Sequence, residues 1–323
     1  MYLKPKPEET LTAFNGKRTV FFSVSLAVNI PTLTNAISNI NKFHNSPPFI
    51  IVCPDREVRH FEVAFKSFSN VSVESENLLL SFEEFRDIAV NVSIVDRFSA
   101  GSLSRLSWYY QQALKIAFLF RSHAPNIDLV MWDADTIPLD RIEFFDSNGA
   151  VLYGSKVEFH TPYFVTLNSL FGCLPKSYLA FTLQFFACSY PETLYLIEKL
   201  SKSCARFKFE NESHWVARVI LSSVISTHKT LEGALFSEQE LVGIASLIHR
   251  PRNQMVLRYL RGGFIGLLSE QQVKIVRIMG FRHISYENLS QIRGGRQPWL
   301  ALIAYMFKES VRQRLFYSPL WHK

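Results

Sequence analysis

The stretch Asp128-Leu129-Val130-Met131-Trp132-Asp133-Ala134-Asp135-Thr136-Ile137-Pro138-Leu139 decides how the chain is interpreted. Its apolar residues predict a buried strand, which a proline stops. Because side chains alternate along a strand, Asp133 and Asp135 are expected on the same side, with Ala134 pointing away. Two neighbouring carboxylates repel each other and are costly to bury, and a divalent cation such as Mg²⁺ or Mn²⁺ removes that cost. The same residues also fit two surface aspartates at a strand–turn boundary.

The chain before this stretch alternates between predicted strands and predicted helices. Strands are predicted at 18–28, 49–53, 71–73 and 92–95, and helices at 35–43, 57–68, 81–89 and 102–121. Such alternation predicts an α/β fold with a mostly parallel central sheet flanked by helices. Ligands of these sheets bind beyond the carboxyl ends of the strands, which is where the two aspartates are expected.

The second half of the chain contains no aspartate after Asp146. Strands are predicted at 150–153 and 273–279, and helices at 191–203, 213–225 and 237–247. The pattern divides the chain into a leader at 1–17, a main domain at 18–290 and a basic, aromatic helical tail at 291–323. Any catalytic base or metal ligand supplied by the second half must therefore be Glu or His.

Composition is that of a globular protein, with 48% hydrophobic and 20% charged residues among 323. The four cysteines are scattered without metal-ligand spacing, and Cys53 is expected to be a buried strand residue. The N-terminal residues lack the apolar core of a signal peptide, and no run approaches the ~18 apolar residues of a membrane span. These features predict a cytoplasmic protein.

The net charge of +7 is unevenly distributed, because 13 Lys or Arg and only 3 Glu lie from Arg250 onward. Such asymmetry indicates an anionic partner: membrane headgroups, nucleic acid or a phosphorylated substrate.

Four segments together resemble metal-dependent GT-A glycosyltransferases with a DxD motif. They are Trp132-Asp133-Ala134-Asp135-Thr136, the helix Trp108-Tyr109-Tyr110-Gln111-Gln112-Ala113-Leu114-Lys115, the segment Phe159-His160-Thr161-Pro162-Tyr163-Phe164, and Phe236-Ser237-Glu238-Gln239-Glu240-Leu241. The set is most similar to a group of little-characterised bacterial glycosyltransferase-like proteins that carry the motif WDADT. The resemblance implies a GT-A-like catalytic domain that moves a sugar from a nucleotide-sugar donor to a glycan or lipid-linked acceptor, as in bacterial surface polysaccharide synthesis, with Mn²⁺ or Mg²⁺ as cofactor.

The resemblance also implies roles for the residues on the donor side. A metal ion bridging the donor diphosphate to Asp135 would neutralise the leaving group, and Asp133 would contact the ribose or a metal-bound water. Gln111, Gln112 and Lys115 are candidates for contacts with phosphate or sugar hydroxyls, and a solvated helix face is the alternative for them. Trp108 and Tyr109 are candidates for stacking on a base or sugar, although at least one of them is expected in the core. Lys156 is a further donor-side candidate.

Candidates for the acceptor side and for the remaining metal ligands come from the second half. Glu238 is the first candidate for the base that deprotonates the acceptor hydroxyl. Glu240 is also a catalytic candidate, but its position three residues after Ser237 predicts reciprocal capping of a helix. His160 is an acceptor-side candidate that Lys156 and Glu158 would join. GT-A enzymes often take a third metal ligand late in the chain, which makes His249 and His283 candidates.

The tail mixes cations with aromatic residues, namely Arg293, Arg296, Lys308, Arg312, Arg314, Trp299, Phe307, Phe316 and Trp321. That composition suits a helix lying at the cytoplasmic membrane face, and equally a helix packed on the domain with a solvated basic face.

Three rival functions remain. A phosphatase of the haloacid-dehalogenase type expects Thr or Val where this chain has Ile137, and late acidic ligands that it lacks. A non-catalytic nucleotide- or sugar-binding module would not need both aspartates. Nucleic-acid binding rests on the basic end alone, and no binding motif accompanies it, so no nucleic-acid partner is predicted.

Overall fold

The computed structural model describes residues 17–95, 105–155, 159–172, 174–175, 177, 179–203, 211–261, 268–286, 302–304, 306–308 and 310–311. The helices are α1 Ile30–His44, α2 Val58–Phe65, α3 Phe82–Val95, α4 Leu106–Ser122, α5 Thr161–Phe171, α6 Tyr190–Ser203, α7 Glu212–His228, α8 Glu238–His249 and α9 Glu270–Ile278. The strands are β1 Arg18–Val24, β2 Phe49–Cys53, β3 Val71–Ser75, β4 Ile127–Trp132, β5 Thr136–Pro138, β6 Phe145–Asp146, β7 Gly149–Ala150, β8 Tyr153–Gly154, β9 Phe185–Cys188, β10 Met255–Val256, β11 Tyr259–Arg261 and β12 His283–Ser285.

A five-stranded sheet in the order β3-β2-β1-β4-β9 forms the centre of the fold. The first four strands are parallel, with Phe21 beside both Phe49 and Val130, whereas β9 is antiparallel to β4. The predicted α/β fold with a mostly parallel sheet is confirmed. The strand order reverses direction between β1 and β4, and the crevice at such a switch point is where open α/β sheets bind ligands.

The two faces of the sheet are covered by different helices. On β1, Phe22 packs with the cluster of α4, α7 and α8 and stacks on Phe118 at 4.4 Å between ring centroids. The neighbouring Phe21 points to the opposite face, where it joins the cluster of α1 and α2. Cys53 is fully buried in that second cluster, as predicted. Burial of each such Phe contributes about 1.5–3 kcal/mol, so alternation along β1 holds both helical layers in place.

A smaller sheet, β11-β12-β5, extends from the end of the Asp133–Asp135 turn. Its core is a third cluster that includes Ile137, Leu260 and Ile284. Leu302 and Met306, which lie in helical C-terminal residues, are buried in this cluster. Within the described ranges of the chain, no helix is long and apolar enough to cross a membrane.

Two predicted strands are helical, and these predictions were wrong. Residues 92–95 continue α3, because Phe85, Ile88, Ala89 and Val92 form one buried face at helical spacing. Residues 273–278 belong to α9, which Ser269 and Gln272 begin with a reciprocal capping box. In both segments, β-branched residues occupy the buried face of a helix.

Candidate functional site

Asp133 begins a tight turn directly after β4. Its backbone N–H donates to the Gln184 carbonyl at 2.9 Å, and its own carbonyl accepts from the Thr136 N–H at 3.1 Å. The indole N–H of Trp132 donates to the Thr136 carbonyl at 2.7 Å and reinforces this turn. The strand therefore ends at Trp132, and the expectation that both aspartates share one side of a strand was wrong. Asp133 nevertheless lies at the carboxyl end of β4, as predicted.

Lys115 of α4 bridges Asp133 to Glu238. Its Nζ donates to Asp133 Oδ1 at 2.5 Å and to Glu238 Oε1 at 2.7 Å, and the residue is only 8% exposed. Burial lowers the pKa of Lys115, but the two carboxylates outweigh it and raise that pKa overall. Burial raises the pKa of Asp133, with Lys115 opposing it. We call these three side chains the Lys115 triad.

The N-terminus of α8 closes the site from a third direction. The Glu238 N–H donates to Gln112 Oε1 at 3.1 Å, which joins α8 to α4. Gln239 donates from Nε2 to Asp133 Oδ2 at 3.1 Å and accepts the Gln184 N–H at 3.0 Å. The positive end of the α8 dipole lies among these carboxylates and favours their negative charge.

Glu240 does not complete the predicted reciprocal cap. Ser237 Oγ accepts from the Glu240 N–H at 3.2 Å, but the Glu240 side chain accepts from the Phe181 N–H at 2.7 Å and from the Thr182 hydroxyl at 2.9 Å. The residue is fully buried, and burial raises its pKa to about 7. Glu240 thus anchors the segment before β9, which carries Gln184 to Asp133.

Asp135 occupies the same turn in a half-buried position. Its Oδ1 accepts from the Thr136 hydroxyl at 3.1 Å, and its backbone carbonyl accepts from the Tyr286 N–H at 2.8 Å. The second contact ties the turn to the residue that follows β12.

The two late histidines, His249 and His283, lie at different places relative to Asp133. His249 ends α8 and contacts Tyr195, whereas Gln239 near the start of α8 contacts Asp133. A helix rises 1.5 Å per residue, so His249 lies about 15 Å along the axis from Gln239. His283 is fully buried among Trp132, Phe185 and Tyr259. Burial lowers its pKa to about 3, against a smaller opposing effect of the Leu183 backbone.

A divalent cation at Asp133 would meet the groups that already contact this carboxylate. Both of its carboxylate oxygens already accept hydrogen bonds, one from the Lys115 ammonium and one from Gln239. Among the described residues, no group of three or more His, Cys, Asp or Glu side chains could hold a metal ion. In this arrangement Asp133 does not fit the predicted metal site, because a cation there would lie beside the Lys115 ammonium, whose like charge repels it.

The segment that contains His160 approaches the loop before α8. His160 is exposed, and its Nε2 lies 2.8 Å from the Ala234 carbonyl. Tyr109 is buried and donates to the adjacent Gly233 carbonyl at 3.0 Å, while Trp108 is half-buried against Tyr109. Lys156 and Glu158 lie outside the described residues.

Of the two glutamines, Gln112 is the one that reaches the site, since it is buried and accepts the Glu238 N–H at the start of α8. The face that carries Gln112 and Lys115 is therefore not solvated. Gln239 and Gln184 were not predicted as site residues. Gln239 lies inside the Ser237–Leu241 segment, so the sequence resemblance could have identified it as a site residue. Gln184 adopts a positive φ of 68°, which no sequence pattern predicts.

No protein-family profile matches the chain, and no curated protein is similar to it in sequence. The chain is similar in structure to mouse xyloside xylosyltransferase 1, with a TM-score of 0.41, 9% identity and coverage of 84% of this chain and 97% of the other. For a galactosyltransferase complexed with donor and acceptor sugar analogues, the TM-score is 0.42 and the identity 10%, with coverage of 94% of this chain and 99% of the other. For core-mannan synthase A of Aspergillus fumigatus in an Mn/GDP form, the TM-score is 0.38 and the identity 10%, with coverage of 75% of this chain and 76% of the other. Scores this low assign the chain to none of these families.

Proposed function

We propose that the chain is a glycosyltransferase that takes a sugar from a nucleotide-sugar donor to a glycan or lipid-linked acceptor. The observation that carries the proposal is the Lys115 triad. Three of the four segments that resemble the DxD glycosyltransferases supply its members, although 18 and 123 residues separate Lys115 from its two partners. Residues distant in sequence thus meet at the switch point of the sheet, where a ligand is expected.

In this proposal Asp133 orients the donor by accepting hydrogen bonds from ribose or sugar hydroxyls. Lys115 and Gln239 hold one oxygen each, so the carboxylate is fixed in one orientation before the donor binds. Carboxylate oxygens have several lone-pair sites, so an oxygen that already accepts from Lys115 or Gln239 accepts a further hydroxyl proton.

Glu238 is the proposed base, which takes the proton of the acceptor hydroxyl as that oxygen attacks the anomeric carbon and the nucleotide leaves. The residue is 4% exposed, and Lys115 holds its carboxylate at the end of α8 nearest the turn. His160 and the loop around Ala234 are proposed to border the acceptor side. No step is assigned to a metal ion, and Asp135 remains the candidate ligand if one binds.

The test is a thermal-shift screen of nucleotide diphosphates and nucleotide sugars, each with and without Mn²⁺. Ligand at about 100 times its Kd stabilises the native state by about 2.7 kcal/mol, and we expect one nucleotide class to raise the Tm. Asp133→Asn should abolish most of that rise. Asp87→Asn, on an exposed position of α3, is the matched control and should bind like the unmodified chain. A chain that no nucleotide stabilises would contradict the proposal.

A non-catalytic sugar- or nucleotide-binding module is the second candidate, because a buried ammonium that bridges two carboxylates also suits a purely structural role. The two functions differ in the effect of Glu238→Gln. In a transferase this variant binds the donor but loses transfer and donor hydrolysis. In a binding module neither activity exists in the unmodified chain.

A further inference from the structure

A second cleft lies beside the candidate site and has a different character. It has a volume of about 500 Å³ and is bounded by α1, β5, β12 and α9. This volume is within the range of about 300–1,000 Å³ that small-molecule sites occupy. Lys115, Asp133 and Glu238 do not line it.

Part of the lining of this cleft is apolar. Ile137, Leu139, Ile284 and the ring of Tyr286 contribute to it, beside the amides of Asn35 and Asn39. Tyr286 is also the residue whose N–H donates to the Asp135 carbonyl at 2.8 Å, so the cleft begins one residue layer from the Asp133–Asp135 turn. Such a mixture suits a pyranose ring, because its C–H faces pack on apolar side chains while its hydroxyls hydrogen-bond to amides.

The charged lining of the cleft is mostly cationic. Lys42 on α1 and Lys274 and Arg277 on α9 line it, and Glu270 is the opposing charge. Arg277 is partly neutralised by Asp140, at 2.9 Å. Lys42 and Lys274 are both exposed, and neither forms an ion pair within the described parts of the chain. Two ammonium groups without an ion pair, on two helices that border one cleft, favour an anionic ligand in it.

We infer that this cleft binds a saccharide unit that carries an anionic substituent, carboxylate or phosphate, within an acceptor of the transferase whose reacting hydroxyl lies outside the cleft, at Glu238. The acceptor role rests on the proposed function, whereas the binding does not. In this proposal the apolar lining residues contact the sugar ring, and Lys42 and Lys274 pair with the anionic substituent. Tyr286 lies at the end of the cleft nearest Asp135.

The binding is tested by titration calorimetry with four probes: tetragalacturonate, neutral maltotetraose, glucose 6-phosphate and inorganic phosphate. We expect one of the two charged saccharides to bind at least about tenfold more tightly than both maltotetraose and inorganic phosphate, since charge-assisted hydrogen bonds are stronger than neutral ones and phosphate lacks the sugar contacts. Tetragalacturonate as the tighter ligand assigns the carboxylate, and glucose 6-phosphate assigns the phosphate. Equal binding of maltotetraose removes the role of charge, and equal binding of inorganic phosphate removes the role of the sugar. Either result, or no binding of either charged saccharide, overturns the inference.

The double variant Lys42→Ala with Lys274→Ala should weaken the charged saccharide by at least about tenfold. Its matched control is Lys66→Ala with Lys202→Ala, which removes the same charge from exposed positions elsewhere on the surface and should leave the Kd unchanged. An equal loss in both doubles would show a general effect of net charge and overturn the inference. Both doubles should keep the Tm rise given by the nucleotide donor. Loss of saccharide binding with donor binding retained identifies the cleft, and failure of donor binding in the unmodified chain affects only the proposed function.

Discussion

Lys115 is the residue on which the stability of the candidate site depends. Its side chain is the cation between two carboxylates that are both largely removed from water. Lys115→Met leaves Asp133 and Glu238 without that cation, and breaking a buried pair costs about 3–5 kcal/mol. We therefore expect a loss of this size in the free energy of unfolding, measured in urea near pH 7.

Arg121→Met is the matched control for this loss. Arg121 lies near the end of the same helix and pairs with Glu74, but its side chain is 34% exposed. Partly exposed pairs contribute about 0–1 kcal/mol. If both methionine variants lose the same unfolding free energy, the Lys115 triad does not stabilise the fold more than a partly exposed ion pair does.

Glu240 should make the stability of the protein depend on pH. Burial raises its pKa from 4.5 to about 7. Between these values the native state holds a proton that the unfolded state has lost, so the stability that Glu240 contributes falls as pH rises, by up to about 3 kcal/mol in all. Glu240→Gln cannot titrate, and its unfolding free energy should rise relative to the unmodified chain from about pH 5 to about pH 8.

Urea unfolding at several pH values across that range checks this prediction. His44 and His283 also have shifted pKa values, which burial lowers to about 4 and about 3, but they are present in both proteins. Their contributions cancel in the difference. Parallel pH profiles for the two proteins would show that Glu240 does not titrate in this range.

At the scale of elements, Ser237 at the start of α8 links stability to the site. Its hydroxyl accepts the Glu240 N–H, and the two residues between them, Glu238 and Gln239, contact Lys115 and Asp133. Ser237→Ala should cost about 1 kcal/mol and should also weaken nucleotide-sugar binding, because the first turn of α8 frays. Ser269→Ala removes the cap of α9 instead, with its hydrogen bond to Gln272.

The comparison of these two caps separates stability from site geometry. Both variants should lower the Tm by a similar amount, as followed by circular dichroism. Only Ser237→Ala should lower the affinity for the donor found in the thermal-shift screen. A donor affinity that falls equally in both variants would mean that global stability, and not the position of α8, controls binding.

The elements show what local sequence can predict and where it fails. β2 at Phe49–Cys53 was predicted to the residue, because a short apolar run between prolines leaves few alternatives. The segment 92–95 was misread because a run of β-branched residues fits a buried strand as well as the buried face of a helix. The break at Asp133 was missed. The Asp133 N–H donates to the Gln184 carbonyl, which is a tertiary contact, and the Trp132 indole closes the turn onto Thr136, which the alternation of apolar residues does not show.

At the scale of the whole molecule, the sequence indicated most members of the site but not their arrangement. Asp133, Lys115 and Glu238 were each named from their own segments. That one ammonium group would occupy the space between the two carboxylates depends on how α4 and α8 pack on the same face of the sheet. The prediction of a metal site at Asp133 considered Asp133 and Asp135 alone. The Lys115 ammonium beside Asp133 argues against a cation there.

The basic end of the molecule leads to a last prediction, on membrane contact. Its described helical residues bury Leu302 and Met306 but leave Ile303 51% and Phe307 69% exposed, one turn apart beside Lys308. Arg258 donates to Ser310 and to the Met279 carbonyl, so this helix is held against the end of α9. One face is thus packed on the domain while the other presents apolar and basic groups, which suits an anionic membrane surface.

We expect the chain to sediment with vesicles that contain anionic lipid, and not with neutral vesicles, and salt should weaken the binding. Ile303→Ser with Phe307→Ser should remove most of it. Val28→Ser with Val63→Ser is the matched control, because these valines are exposed to 63% and 60% elsewhere on the molecule. Equal losses in the two doubles, or no vesicle binding by the unmodified chain, would show that the exposed face of this helix is not a membrane contact.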